Sequence, residues 1–163
     1  MKSASRIVIS MLCFLSFSSC LERKASLKEL ISSDHLHQMN SALEASIVED
    51  FFSPPVASRI YVYPNIAAYE ILESTEEKFT SLAPFLGSLE KIPKGKNSVD
   101  KNLSALFAFY YSAKALVYTS SFLDEYITTV EKEFKDKGGS EEAFLRASEY
   151  GKTVADHILK WAN

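Results

Sequence analysis

Apolar residues recur at helical spacing along most of the chain after residue 33. This periodicity predicts a helix over 34–52 with Asp34 as its N-cap, a helix over 121–137 that opens with a cap at Ser121 and Asp124, and a last helix capped by Ser140. The three apolar stripes are Leu36, Met39, Leu43, Ile47 and Phe51; Phe122, Tyr126, Val130 and Phe134; and Phe144, Ala147, Gly151, Val154 and Ile158. Gly138-Gly139 predicts a helix stop, and Gly151 inside its stripe predicts close approach of a neighbouring helix.

Prolines shape the segment that follows the first helix. Ser53 is placed to cap a helix that continues to Leu72, and Pro54 suits its first position. Pro64 removes one backbone donor inside that helix and predicts a kink, the alternative being two short helices that meet there.

The centre of the chain adds two less regular helices. A capping box at Ser74 and Glu77 predicts a short helix with Phe79, Leu82 and Phe85 on one side. Residues 87–97 are rich in Lys, Gly and Pro and predict a loop, and the densest apolar run predicts a buried helix over 99–119. No alternating strand pattern is found, so we expect an all-α bundle of about five to six helices.

The amino-terminal residues have the pattern of a secretion signal. Lys2 and Arg6 precede a short apolar core over 7–17, which is too short to span a bilayer at roughly 20 residues, and small residues lead to Cys20. We therefore expect a lipoprotein signal over 1–19, a tether over 20–33 and a helical domain over 34–163. Cys20 would be lipidated and hold the protein at a membrane surface, in the cell envelope and facing the periplasm from the outer membrane. The alternative is an ordinary signal peptide with an incidental cysteine.

Charge and cysteine content narrow the function classes. Removing Lys2 and Arg6 with the signal leaves 16 basic against 21 acidic side chains, a net charge of −5, and no basic cluster indicates nucleic-acid binding. The predicted domain contains no cysteine, which excludes disulfides, thiol catalysis and cysteine-based metal sites within it.

Few residues carry candidate chemistry. No P-loop, dinucleotide-binding, H-E-x-x-H or G-x-S-x-G motif is present. His35 and His37 are two residues apart and so do not share a helix face. Four polar residues lie in the otherwise apolar helix over 54–72, which predicts a buried polar network; they are Arg59, Asn65, Tyr69 and Glu70.

The stretch 53–72 (SPPVASRIYVYPNIAAYEIL) resembles the first half of bacterial vanadium-dependent haloperoxidases and the related type-2 phosphatidic acid phosphatases, with weaker similarity in 113–116, 126–134 and 150–157. The resemblance implies a helical scaffold whose second half binds vanadate or phosphate through Lys, Arg-Pro, Pro-Ser-Gly-His and Ser-Arg motifs followed by a histidine. None of the five prolines here follows an arginine or precedes Ser-Gly-His, and Ser58-Arg59 is only a partial match. We therefore assign no catalytic residue, no metal ligand and no cofactor to this chain.

Three functions remain open at this point. The first is an envelope-anchored scaffold whose partner is a separate catalytic half or another helical protein, the catalytic half being absent from this chain. The second is a stand-alone binding or interaction module in the cell envelope. A self-contained phosphatase or haloperoxidase is the third, and would require a site that the motifs do not reveal. Whether the chain is an enzyme stays open.

Overall fold

A computed structural model of the protein describes residues 30–73, 79–96 and 98–163. Within these ranges the regular structure consists of five helices and no strands, so the predicted all-α class is confirmed. The helices are α1 (Ser33–Glu49), α2 (Pro54–Leu72), α3 (Lys101–Lys114), α4 (Ser121–Asp136) and α5 (Glu141–Ala162). No described helix is both long and apolar enough to cross a bilayer.

Helix α3 lies at the centre of the bundle. It packs mainly against α5 on one side and α2 on the other, while α1 pairs mainly with α4. Every residue from Leu103 to Tyr110 is buried, as are Ser112 and Ala113. Because its neighbours cover α3 on nearly every side, apolar residues occupy nearly its whole circumference.

The stripe of α5 and its glycine behave as the sequence predicts. Phe144, Ala147, Val154 and Ile158 are all buried. A Cβ atom on Gly151 would lie 2.5 Å from the Cβ of Phe107 and 2.7 Å from the carbonyl oxygen of Ser104, both on α3. Only glycine permits the two helices to approach this closely.

Helix ends follow the predicted caps at two places and shift by a residue or two at others. The Ser140 hydroxyl accepts a hydrogen bond from the backbone amide of Ala143, and Gly138 adopts a φ of 87° just after α4 ends. The N-cap of α1 is Ser32 rather than Asp34, because Asp34 already lies inside the first turn. Helix α2 runs unbroken through the buried Pro64, which rules out two separate helices.

Two expectations for the middle of the chain were wrong. Helix α3 ends at Lys114 instead of Thr119, since the amides of Tyr118 and Thr119 bond to the Asp50 carboxylate and not to the preceding turn. The predicted short helix is a single turn in its described part, where the amides of Phe85 and Leu86 both bond to the Leu82 carbonyl. Ser74 and Glu77 lie outside the described residues.

The folded part begins earlier than the predicted boundary at residue 34. Leu30 and Ile31 are buried, and the Asn102 side-chain amide donates to the Ile31 carbonyl at 3.0 Å. The end of the expected tether is thus packed on α3. The predicted signal and Cys20 lie outside the described residues.

Candidate functional site

Glu70 is the most deeply buried charged residue of the described chain. Its side chain is 1% exposed, and its two carboxylate oxygens accept hydrogen bonds from the Ser81 hydroxyl at 2.7 Å and the Leu82 amide at 2.6 Å. The neighbouring Tyr69 hydroxyl donates to the Thr80 carbonyl at 3.0 Å. These bonds fix the segment 80–82 against the carboxyl-terminal half of α2.

Arg59 and Asn65 occupy different surroundings. Arg59 is exposed, its Nε donates to the Tyr63 hydroxyl at 2.9 Å, and its guanidinium lies 5.5 Å from the centre of that ring. The Asn65 side-chain amide donates to the Asn40 Oδ1 on α1 at 3.1 Å. The expected burial of Arg59 is therefore not found, because its position on α2 faces solvent in this chain.

The four polar residues of α2 thus do not form one network, because Tyr69 and Glu70 share the segment 80–82 whereas Asn65 bonds to α1 and Arg59 bonds within α2. Sequence reasoning placed them together because their neighbours on α2 are apolar. Several of those apolar neighbours are themselves exposed, notably Val56 at 44% and Val62 at 50%. An apolar neighbourhood along the sequence therefore did not mean burial in the core.

A polar cavity of about 590 Å³ lies between the end of α2, the segment 79–95 and the start of α3. It is lined by carboxylates and amines that include Glu70, Glu73, Lys91, Lys94 and Lys101. Burial lowers the pKa of Lys101, an effect that the nearby charge of Glu73 opposes, and its Nζ lies 5.2 Å from the centre of the Tyr150 ring.

Tyr150 forms the opposite wall of this polar cavity. Its hydroxyl donates to the Pro93 carbonyl at 3.0 Å, and burial raises the pKa of the phenol. The described lining contains neither histidine nor thiol, and its Ser81 hydroxyl is hydrogen-bonded to the Glu70 carboxylate at 2.7 Å. The cavity has the chemistry of a binding site for a small polar molecule.

Vanadate or phosphate does not fit this cavity well. An oxyanion needs several converging cationic or amide donors, and vanadium additionally needs a histidine ligand in the pattern that the resemblance implies. Glu70 and Glu73 place two carboxylates beside the three lysines of the same lining, which weakens its attraction for an oxyanion, and its described residues include no histidine. We therefore derive no reaction through such a group.

A second polar cluster joins the end of α3 to the start of α4. The Asp124 carboxylate accepts hydrogen bonds from the Lys114 amine at 2.6 Å, the Tyr110 hydroxyl at 2.5 Å and the Ser120 hydroxyl at 2.9 Å. Desolvation opposes ionisation, but the three bonds together outweigh it and lower the pKa of Asp124. Sequence analysis identified Asp124 only as a capping residue, and nothing in the sequence pattern pairs it with Lys114.

Asp50 holds the α3–α4 connection to the end of α1. Its carboxylate accepts from the amides of Tyr118 at 2.7 Å and Thr119 at 3.1 Å, and these bonds lower its pKa although desolvation acts the other way. Next to it, Phe51 has a positive φ of 54° and is 92% exposed. We interpret these contacts of Asp50 as structural, because they hold the α3–α4 connection in place.

The histidines do not form a metal centre in the described part of the chain. The His35 Nε2 lies 3.5 Å from a carboxylate oxygen of Glu133, and the His157 Nε2 lies 2.9 Å from the Glu90 carbonyl. No group of three or more His, Cys, Asp or Glu side chains among the described residues could hold a metal ion.

An apolar groove was missed by sequence reasoning altogether. It has a volume of about 490 Å³ and runs between α1 and α2, with Leu36, Val62, Ile66 and Tyr69 among its walls. Its only sequence signal is that apolar residues of α2 occupy more than one helix face, as Val62 and Ile66 do alongside Ile60 and Ile71.

Comparison with known proteins supplies a fold relationship. No protein-family model and no curated protein matches the chain. It is similar to the crystal structure of a bacterial vanadium-dependent iodoperoxidase, with a TM-score of 0.74 and 32% identity over 80% of this chain. The match spans 32% of the iodoperoxidase chain.

The fold is thus that of a helical, vanadium-haloperoxidase-like protein, and the resemblance noted from residues 53–72 is confirmed at that level. This chain corresponds to about a third of the longer iodoperoxidase.

Proposed function

We propose that this chain is the non-catalytic scaffold part of a vanadium-haloperoxidase-like protein. In this proposal the catalytic groups come from another stretch of polypeptide that packs against it. The observation that carries the proposal is the match of 80% of this chain to only 32% of the iodoperoxidase, at 32% identity. The described lining of the polar cavity, in which two carboxylates accompany the lysines and no histidine is present, supports it.

The lining of the polar cavity also supports a structural role for Glu70. Each of its two carboxylate oxygens accepts one hydrogen bond, from Ser81 and from Leu82, and these bonds hold the segment 80–82. A buried carboxylate that satisfies two donors in this way stabilises the scaffold.

Activity measurements on the mature chain test the proposal directly. Iodide oxidation is followed with vanadate and hydrogen peroxide, and phosphate release is followed with a phosphomonoester. We expect no rate above that of free vanadate or buffer. A saturable rate that scales with protein concentration would overturn the proposal, because the chain would then contain its own site.

The scaffold proposal also makes a genetic prediction. The DNA downstream of the coding region should encode a segment with a Pro-Ser-Gly-His motif, in the same frame or after a frameshift. Mixing that polypeptide with this chain should produce vanadate-dependent iodide oxidation that neither gives alone. An unrelated downstream sequence would count against a split protein.

We further propose that Cys20 anchors the mature protein to the membrane surface in the cell envelope, on the periplasmic face of the outer membrane. Support comes from the sequence before Cys20, where small residues follow a short apolar core. Mass spectrometry of the mature protein should find the N-terminal cysteine acylated. Cys20→Ser should release the protein into the soluble fraction, whereas an unmodified N-terminus at another residue would refute the anchor.

A second function, that of a stand-alone binding module in the envelope, is favoured by the polar cavity of about 590 Å³. Its mixed lining of lysines and carboxylates suits a small zwitterionic molecule. A thermal-shift screen with amino acids and short peptides tests this, using Lys101→Ala as the variant that should abolish any shift.

A further inference from the structure

The apolar groove between α1 and α2 has the dimensions of a helix-binding site. We call it the α1–α2 groove; Leu36 lies on one wall, and Val62, Ile66 and Tyr69 lie on the other. From Val62 to Tyr69 the helix rises about 10 Å, or two turns, at 1.5 Å per residue. That length accommodates the apolar side chains that a helix presents at positions i, i+3 or i+4, and i+7.

The groove exists because its two walls belong to different parts of the bundle. Helix α1 packs mainly on α4 and α2 mainly on α3, with only slight contact between α1 and α2. A hydrogen bond from Asn65 to Asn40 joins the walls at 3.1 Å. Ile66 is nearly buried at the base, whereas Val62 is 50% exposed at the edge.

One acidic residue, Glu44, flanks the groove. Glu44 on α1 lies close enough to Tyr61 that its charge, together with the larger effect of burial, raises the pKa of that phenol. None of the described residues that line the groove is basic. A segment that binds here should therefore combine an apolar face with basic flanks.

We infer that the α1–α2 groove is the docking site for an amphipathic, basic-flanked helix of the catalytic polypeptide. This inference rests on the proposed scaffold function. The matching iodoperoxidase chain is about three times as long as the part that this chain covers, so it contains polypeptide that can cover the corresponding surface. The apolar lining and the neighbouring Glu44 define which kind of segment that polypeptide would contribute.

The probe for this site is a 16-residue fluorescent peptide with four leucines on one helical face and two lysines at each end. Fluorescence anisotropy measures its binding to the mature chain. We expect saturable binding whose affinity falls as the salt concentration is raised. The Val62→Lys variant should bind the peptide at least tenfold more weakly. The lysine places a like charge in the groove and removes the exposed apolar contact.

Matched controls distinguish binding in the groove from non-specific binding of the peptide. Val48 is 67% exposed and does not line the groove, so Val48→Lys should leave the affinity unchanged within twofold. A peptide with the same composition but scattered leucines should bind at least tenfold more weakly. Equal weakening by both variants, or equal binding of the two peptides, would overturn the inference. Both valines are half exposed or more, and thermal unfolding verifies that each variant is folded.

Two other occupants would give distinct results that also overturn the inference. If the mature chain is a dimer that Val62→Lys dissociates, the groove binds a second copy. If deletion of residues 21–29 raises the peptide affinity tenfold, the chain's own segment covers it. Iodide oxidation by the isolated chain would refute the scaffold proposal, whereas non-specific peptide binding by an inactive chain would refute only the docking site.

Discussion

Replacing Gly151 by alanine should destabilise the protein, because α5 crosses α3 at this residue without room for a side chain. The added Cβ would lie 2.5 Å from the Phe107 Cβ, 2.7 Å from the Ser104 carbonyl oxygen and 2.8 Å from the Ala108 amide nitrogen. Two of these atoms belong to the backbone of the central helix and cannot rotate away. The helices must therefore move apart.

The expected loss follows from two opposing effects. Overpacking of a well-packed core costs about 1–3 kcal/mol, and alanine recovers about 1 kcal/mol through its better helix propensity. Since backbone atoms are involved, we expect a net decrease of about 1–2 kcal/mol in the free energy of unfolding, which corresponds to a fall of about 4–8 °C in Tm for a domain of this size.

Urea unfolding followed by circular dichroism measures this change. Gly87→Ala is the matched control, because no atom lies within 4 Å of the Cβ that it would add. The control should change stability by no more than about 0.5 kcal/mol. If Gly151→Ala is as stable as the parent or more so, the close approach of α3 and α5 is refuted.

Three other substitutions test further features. Phe51→Gly should raise the free energy of unfolding by about 0.5–1 kcal/mol, because glycine tolerates the positive φ and the 92% exposed ring makes little contact; an unchanged or lower urea midpoint would refute this. Glu70→Ala should lower the free energy of unfolding by about 2–4 kcal/mol, because it leaves buried donors unsatisfied. Glu70→Gln should lower it by less, and equal losses in the two variants would argue against these hydrogen bonds. Asp124→Asn should lower stability by about 1 kcal/mol at neutral pH. Since the folded-state pKa of Asp124 is lowered, its contribution is present above the unfolded value near 3.9 and is lost as the pH falls through the folded pKa. The difference between parent and variant should thus shrink below about pH 4, and a pH-independent difference would contradict the assignment.

The sequence predicts helices well where one face alone is apolar. The stripe of α5 from Phe144 to Ile158 and the role of Gly151 follow from a period of 3.6 residues and from the lack of a Cβ atom. The same holds for the Ser140 cap, because capping needs only residues adjacent in sequence. Local geometry determines all of these features.

Features that depend on distant residues were missed. Helix α3 ends earlier than predicted because the backbone amide of Tyr118 donates to the carboxylate of Asp50, which lies 68 residues earlier in the sequence. The partners of Glu70 lie 11 and 12 residues further along the chain. The exposure of Val62 could not be foreseen either, because the residue type does not tell whether another element of the fold covers the side chain. The candidate docking site therefore required the structure.

The near-complete burial of α3 determines how the molecule can open. Because α4 packs mainly on α1 and has few contacts with α3 beyond the bonds of Asp124, we expect α4 and α1 to open at a lower free energy than the contacts of α3 with α2 and α5. The amides of α3, by contrast, reach solvent only when both of its main partners separate from it. Hydrogen exchange in α3 should therefore proceed only through global unfolding. The exchange rates of its amides would then report the free energy of unfolding of the whole fold.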